Sequence, residues 1–252
     1  MKRLLFLVAI VVGFSPLMSW SQSGDFTLEQ VMSAPFPTSL VAAPSGGALA
    51  WVFNERGQRN IWVASPPEYV GKALTAYEGD DGQEIADLVW TADAGAIVYV
   101  RGGAPNRQGE YPNPLSEPAG VSQEVWVVPA DSGTPHRLGE GDSPAASPSH
   151  DRVAFLKGGQ VWWAPLDGSS DAQQLVRSRG AANQLRWSPD GSRLAFTSQR
   201  GDHSFIGVYG WEDRSLRFLE PSVHSFLTHA HWLEAFEAAF DFFDRHLKKG
   251  AP

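Results

Sequence analysis

One nine-residue pattern occurs four times in this chain and strongly limits the folds that are open to it. The copies are SPDGSRLAF from Ser188, SPSHDRVAF from Ser147, TADAGAIVY from Thr91 and APSGGALAW from Ala43. Each copy begins with turn-forming residues and ends in an apolar segment with an aromatic residue, which is typical of a turn leading into a buried strand. One such unit cannot bury its own apolar faces, so the repeats are expected to stack.

Further predicted strands complete each unit. In the last unit, alternating apolar segments at Gln184–Trp187, Arg193–Ser198, Phe205–Tyr209 and Ser215–Leu219 are separated by turn residues, which predicts an antiparallel meander. Four units of four strands, at a period of about forty residues, predict an all-β fold of four β-propeller blades in an open or partial ring. A β-sandwich is the alternative, but the Trp-rich third strand of the units favours blades.

The 252 residues divide into four predicted segments. They are a signal peptide (1–21), a lead-in segment with a short helix ending at Met32 (22–37), a β-propeller-like domain (38–221) and a C-terminal segment with one amphipathic helix (222–252).

The start of the chain has the pattern of a cleaved signal peptide. Lys2 and Arg3 precede the apolar run Leu4–Phe14, and small residues lead to a cleavage site after Ser21. A membrane anchor is disfavoured because the run is shorter than the about 20 residues that a helix needs to span a bilayer. We therefore expect an exported protein, periplasmic or secreted, with no membrane span after cleavage.

Composition excludes several classes of function. The formal net charge of −8 leaves no basic stripe for nucleic acid, and the absence of cysteine excludes disulfides and thiolate metal sites. No cofactor is predicted. The Pro- and Gly-rich stretch 104–122 in the second unit predicts a long loop, which is either a functional loop on a rigid scaffold or a disordered excursion.

The last thirty residues lack strand alternation. Apolar residues three or four apart after Thr228, a plausible N-cap, predict one apolar helix face. These residues are Trp232, Leu233, Phe236, Ala239, Phe240, Phe243 and Leu247.

The repeats, the signal peptide and the C-terminal segment together resemble the prolyl oligopeptidase family of serine peptidases, in particular its exported dipeptidyl-aminopeptidase-like members. SPDGSRLAFTSQRGDHSFIGVY resembles a propeller blade of that family. VHSFLTHAHWLEAFEAAFDFFDRHL resembles its extreme C-terminus, where a His in a V-H-x-F context is the base of the triad. The resemblance implies an N-terminal propeller that screens the active site and helps to bind peptides, a C-terminal α/β-hydrolase domain, and His224 at the catalytic position.

This chain departs from the family in its catalytic core. No serine lies in a G-x-S-x-G nucleophile elbow, and the triad aspartate has no counterpart. Because a triad needs all its members, the chain is expected to be a non-catalytic fragment that keeps at most a peptide-binding or gating surface. The alternative is a free-standing, TolB-type propeller that binds another protein. A weaker option is hydrolysis in association with another hydrolase-domain chain.

Other candidate residues have simpler interpretations. Gly141–Pro144 superficially resembles the nucleophile motif of trypsin-like proteases, but a turn between blades is expected. A zinc site at His224, His229 and His231 with Glu234 is disfavoured, because residues two apart on a helix point about 200° from each other.

Seven tryptophans allow two interpretations, a ligand-stacking surface or packing between blades, and their equivalent strand positions favour packing. They are Trp51, Trp62, Trp90, Trp126, Trp162, Trp163 and Trp187.

Two expectations concern surfaces that lack partners. The blades are expected to form an open arc with a bare edge strand at each end. The C-terminal helix is expected to dock on the propeller or to drive self-association through its apolar face.

The signal-peptide interpretation makes a direct prediction. N-terminal sequencing of the mature protein should give Gln22 as the first residue, because the small-residue site ends at Ser21. Recovery of an intact Met1 from a membrane fraction would contradict it.

Overall fold

The computed structural model describes residues 26–149, 151–219, 229, 232–233 and 236–241, so the predicted signal peptide lies outside the described residues. The chain forms two units, 1–34 and 35–252. In the first unit, α1 (Leu28–Met32) begins after Thr27. Thr27 Oγ1 accepts a hydrogen bond from the Gln30 amide, and Gln30 Oε1 accepts one from the Thr27 amide. This reciprocal cap accounts for the predicted short helix that ends at Met32.

The second unit contains four antiparallel sheets of four strands, each in sequence order. The first sheet comprises β1 (Phe36–Ala42), β2 (Leu49–Glu55), β3 (Gln58–Ala64) and β4 (Lys72–Ala73). The second comprises β5 (Ile85–Trp90), β6 (Ala96–Arg101), β7 (Glu124–Pro129) and β8 (His136–Glu140). The third comprises β9 (Asp142–Ala146), β10 (Arg152–Lys157), β11 (Gln160–Pro165) and β12 (Gln173–Val176). The fourth comprises β13 (Ala181–Trp187), β14 (Arg193–Arg200), β15 (His203–Gly210) and β16 (Leu216–Leu219).

These sheets confirm the predicted four blades. The domain starts slightly earlier than predicted, because β1 begins at Phe36 rather than at residue 38. Proline is tolerated at position 37 because β1 pairs with a neighbour on one side only, as a strand at the edge of its sheet.

The recurring nine-residue pattern forms the turn between the first and second strands. Ser188 Oγ donates to Asp190 Oδ1 at 2.5 Å and accepts the Arg193 amide at 2.9 Å. In the second sheet Thr91 Oγ1 donates to Asp93 Oδ1 at 2.6 Å and accepts the Ala96 amide in the same way. A hydroxyl followed two residues later by a carboxylate therefore closes the turn, since such side chains take the place of backbone partners.

Neighbouring sheets pack face to face through three apolar cores. We call the face that a sheet turns toward the preceding sheet its leading face, and the opposite face its trailing face. The trailing face of the first sheet, with Ala50, Val52 and Ile61, packs against the leading face of the second, with Leu88 and Tyr99. The second and third sheets and the third and fourth sheets are joined by two further cores of the same kind.

The four sheets form an open array. β1 contacts β5, β5 contacts β9 and β9 contacts β13, whereas strands of the first and fourth sheets make no extensive contact within residues 36–219. The array is therefore open, as predicted. The prediction of a bare edge strand at each end was wrong, because stacked blades end in bare sheet faces rather than in edges.

The first strand of each sheet, which contacts the first strand of the next sheet, is called its innermost strand. Each innermost strand contains a bulge at an equivalent position. Ser39, Asp87, Ser143 and Gln184 all have φ between 51° and 55°, and each lies four residues before a copy of the nine-residue pattern. The register shifts at these points in β1, β5, β9 and β13. A left-handed residue in every innermost strand bends that strand, as bulges do.

The described residues of the C-terminal segment, 229, 232–233 and 236–241, are helical as predicted. Trp232 stacks on Phe236 with ring centroids 5.5 Å apart. Among the helical residues that are described, none lies in a segment long and apolar enough to cross a membrane.

A close contact between neighbouring strands of the fourth sheet can be tested by mutation. Gly207 on β15 pairs with the aromatic residue Phe196 on β14. At the equivalent position of the other three sheets, the aromatic residue pairs with a tryptophan, which is Trp62, Trp126 or Trp162. A Cβ at Gly207 would lie 2.4 Å from the Phe196 ring, so Gly207→Ala should lower the free energy of unfolding by about 1–3 kcal/mol in urea titration. The added methyl should cost clearly less in a Phe196→Leu background, and an equal cost in both backgrounds would contradict this.

Candidate functional site

The long loop of residues 104–122 folds back against the second sheet. A Cβ atom added at Gly103 would lie only 2.4 Å from the Pro112 ring. A Cβ atom added at Gly82 would likewise lie only 2.3 Å from the Pro114 ring. Both contacts need glycine because any side chain there would collide with a proline ring. The loop is thereby anchored at two points near the ends of strands.

Two asparagine side chains fix the course of the loop. Asn106 Oδ1 accepts the amides of Gln108 and Glu110, and Asn106 Nδ2 donates to Glu110 Oε2 at 2.9 Å. Asn113 Oδ1 accepts the Glu117 amide at 2.8 Å, and Asn113 Nδ2 donates to the Glu117 carbonyl at 3.0 Å. Asparagine is well suited to this role because its side chain imitates a peptide group. The loop thus has a defined conformation, which favours the functional interpretation over a disordered excursion.

Between this loop and the second sheet lies a cleft of about 630 Å³, which we call the loop cleft. Its walls come from the segment before β5, the end of β6, the loop and the facing ends of β7 and β8. Its lining consists of Asp81, Gln83, Arg101, Leu115, Glu117, Ala119, Gly120, Val121, Ser122, Glu124 and Glu140.

Arg101, the last residue of β6, is the one basic residue in the lining of the cleft. It pairs with Asp81 through Nη2, and its guanidinium lies 4.3 Å from the centroid of the Tyr77 ring. The Tyr77 and Tyr99 hydroxyls are 2.5 Å apart. Burial raises the pKa of Tyr77, although the hydrogen bond with Tyr99 and the charge of Arg101 oppose that rise. Burial and the neighbouring Tyr77 likewise raise the pKa of Tyr99, so both phenols stay neutral.

Two further ion pairs border the cleft. Glu124 Oε1 accepts a hydrogen bond from Arg137 Nε at 2.6 Å, and Glu140 Oε2 lies 2.9 Å from Lys157 Nζ. With Glu117 from the loop, the lining carries more carboxylates than basic groups. Because these side chains are partly exposed, their pairs contribute little stability and can exchange partners with a charged ligand.

The acidic character continues along the innermost strands. Asp142, the first residue of β9, lies close enough to Asp87 for their charges to interact. Burial raises the pKa of Asp142, the charge of Asp87 adds to this rise, and the hydrogen bond from Ser143 Oγ opposes it. Both carboxylates are at or next to the left-handed bulge positions. The bulges therefore bring acidic groups together at the inner edge of neighbouring sheets.

The structure brings together few of the residues that the sequence singled out. His224, His231 and Glu234 lie outside the described residues, and His229 is exposed on the helix. Ser143 Oγ donates to the adjacent Asp142 at 2.8 Å. Gly141 alone connects β8 to β9, so the link between blades is shorter than the predicted turn, and Asp142, Ser143 and Pro144 belong to β9. No group of three or more His, Asp and Glu side chains within the described part of the chain is arranged to hold a metal ion.

The tryptophans pack between sheets in most cases, as predicted. Trp90 is buried, and Trp126 and Trp162 border the first two cores between sheets. Trp187 Nε1 donates to the Ala145 carbonyl of the preceding sheet at 2.9 Å. Trp163 contacts Trp211, which directly follows β15, with centroids 5.0 Å apart.

For Trp51 and Trp62 the prediction was wrong. They alternate with the core residues of β2 and β3, so they lie on the leading face of the first sheet, and their ring centroids are 6.4 Å apart. No sheet precedes the first one in the described part of the chain, and the two rings lie close to Gly71 instead.

Sequence reasoning missed the cluster of Arg101 with Asp81, Tyr77 and Tyr99. Its contacts join Tyr77 and Asp81 to Tyr99 and Arg101 across about twenty residues of sequence, so no local pattern reveals it. The one signal available was the long loop, which the sequence did identify.

No family model matches the chain, and no curated protein matches its sequence. Solved structures do match it. A prolyl endopeptidase is 12% identical with a TM-score of 0.56, over 76% of this chain and 30% of that one. An oligogalacturonate lyase in complex with manganese is 18% identical with a TM-score of 0.53, over 71% of this chain and 52% of that one.

TolB from Acinetobacter baumannii is 14% identical with a TM-score of 0.50, over 74% of this chain and 44% of that one. The chain therefore spans about half or less of these structures. Since a peptidase, a lyase and TolB share the fold at low identity, the similarity shows a propeller fold and does not select among their functions.

Two aspartates should respond to pH in opposite ways. The raised pKa of Asp142 means that folding favours its protonated form, so its contribution to stability is lost as pH rises above the pKa of the unfolded chain. Asp142→Asn removes this unfavourable charge, so relative to the wild type it should raise stability more at pH 7 than at acidic pH.

Asp190 provides the matched control, because hydrogen bonds from Ser188 and Ser192 lower its pKa to about 2. Its contribution is present above the pKa of the unfolded chain and is lost as pH falls toward 2. Asp190→Asn should therefore lower stability at pH 7. Thermal unfolding between pH 3 and 8 measures both, and shifts of the same sign would contradict the assignment.

Proposed function

We propose that this chain is an exported, non-catalytic β-propeller module that binds a positively charged peptide or protein segment in the loop cleft. The main support is the ordered loop of residues 104–122, which forms one wall of a cleft with an acidic lining. Ordered loops on rigid sheets commonly carry binding sites. Carboxylates that already pair with arginine and lysine favour a cationic partner.

More specifically, we propose that the module derives from the propeller of a prolyl oligopeptidase-family serine peptidase. This assignment rests on the sequence resemblance together with the similarity to a prolyl endopeptidase. In that assignment the cleft is a remnant of a surface that receives peptide substrates. Without a nucleophile elbow, the chain binds peptides and does not cleave them.

The second candidate is a free-standing module that binds another protein in the manner suggested by the TolB resemblance. It is supported by the similarity to TolB structures, one of which this chain covers over 66% of its length. The neighbouring genomic sequence separates the two candidates. An adjacent G-x-S-x-G elbow and further blades favour the peptidase origin, and unrelated neighbours favour a free-standing module.

Peptide binding is tested by fluorescence anisotropy with a labelled Lys-Ala repeat peptide and its Glu-Ala counterpart. The cationic peptide should bind saturably and more weakly at high salt, since partly exposed charges are screened. Glu117→Gln should weaken binding about two- to five-fold, equivalent to about 0.5–1 kcal/mol. Glu55→Gln, at an exposed turn of the first sheet, is the matched control and should bind normally.

Equal binding of the two peptides, or an equal loss with Glu55→Gln, would refute the cleft as the site. A fluorophosphonate probe should leave the protein unlabelled. Stoichiometric labelling that His224→Ala abolishes would show that the chain contains a nucleophile and is a hydrolase.

A further inference from the structure

The structure contains one type of sheet interface three times, and each end of the array presents half of another. On the leading faces, the aromatic residue that ends each nine-residue pattern packs against the preceding sheet. Tyr99 and Phe155 are fully buried in this way, and Phe196 is 1% exposed. Trp51 occupies the equivalent position of the first sheet and is half-buried, and no sheet precedes the first one within the described residues.

The innermost strands show the same difference in burial between the first sheet and the later sheets. Leu88 and Leu185, each one residue after a bulge, are 5% and 2% exposed because each enters the core shared with the preceding sheet. Leu40 has the equivalent position in β1 and is 67% exposed. On the leading face of the first sheet Leu40 is exposed, whereas Trp51, Phe53 and Trp62 are half-buried, with Gly71 close to both tryptophans. This face has the residues of a blade interface, and no opposing blade lies within the described residues.

The trailing face of the fourth sheet is the complementary half. On the third strands, Ile61, Val125 and Val161 are fully buried against the following sheet. Ile206 has the equivalent position in β15, opposite Thr197, and is 42% exposed.

On the fourth strands or directly after them, Leu74, Leu138 and Val176 are each at most 8% exposed, whereas Leu219 is 56% exposed. Removing apolar surface of this kind from water is favourable and would stabilise a contact that covers it. Ile206, Val208 and Leu219 therefore form a partly exposed apolar face, and no following blade covers it within the described residues.

We propose that a second copy of this chain covers these two faces. The trailing face of the fourth sheet of one copy packs on the leading face of the first sheet of the other, as neighbouring sheets do within the chain. The same contact made twice closes a ring of eight blades. Propellers have about four to eight blades, so two open arrays fit this range and three would exceed it. Head-to-tail contacts of this type form a ring when the rotation closes.

The C-terminal helix offers a rival route to self-association, because Phe236 and Phe240 are 51% and 69% exposed. Their exposure is similar to that of Ile206 and Leu40. The double variant Phe236→Asp with Phe240→Asp is therefore a matched control for adding acidic groups to an exposed apolar surface.

Sedimentation velocity of the full-length protein measures the assembly. The wild type should form a dimer at micromolar concentration. Leu40→Glu and Ile206→Glu should each weaken dimerisation at least tenfold, because each places a carboxylate where the equivalent residues of the other sheets are buried. Both positions are exposed within the chain, so the folded monomer should keep its circular dichroism spectrum and melting temperature.

Mixing the two variants is the decisive step. A head-to-tail pair of Leu40→Glu with Ile206→Glu contains one interface with two unaltered faces, so a heterodimer should form although neither variant dimerises alone. The helix variant should remain dimeric. A monomeric wild type, a mixture that stays monomeric, or a dimer lost only in the helix variant would overturn the proposal.

Discussion

The packing of one sheet's leading face on the preceding sheet's trailing face is the constraint on which the rest of the structure depends. A four-stranded meander has two apolar faces and cannot bury either alone. Large aromatics such as Tyr99, Phe155 and Phe196 supply the leading face, and small or branched residues such as Ala50 and Val125 supply the trailing face. Large residues against small ones let the sheets interdigitate at the density of protein interiors.

This constraint explains why the sequence revealed the fold but not its ends. Turn-forming residues followed by an apolar segment that ends in an aromatic residue form one local pattern, so four copies predict four sheets with correct strand order. The faces were harder to predict because exposure depends on what lies beyond the chain's own repeats. Trp51 and Tyr99 occupy the same repeat position, and only the three-dimensional arrangement distinguishes a bare face from an interface.

The candidate site was accessible to sequence reasoning only in outline. Proline and glycine between β6 and β7 predict a long loop, since they disfavour regular structure. The contacts of Pro112 with Gly103 and of Pro114 with Gly82 need the folded chain, as does the convergence of Asp81, Arg101 and Tyr77. Such clusters join residues about twenty positions apart through sheet register, which a single sequence does not encode locally. His224 was the strongest sequence candidate and lies outside the described residues, whereas the cleft is lined by the second sheet, its loop and the segment before it.

The loop cleft and the bare terminal faces are physically separate features of the array. The cleft rests on Tyr77, Tyr99 and Arg101, which belong to the interface between the first and second sheets and its border. That interface is complete within one chain, and so is the interface between the second and third sheets, on which Lys157 approaches Glu140. Ligand binding in the cleft therefore does not need a second copy. The cleft lining contains none of the residues of the outermost faces. A monomer that binds peptide and a dimer that does not are therefore both meaningful results, and each tests one proposal without testing the other.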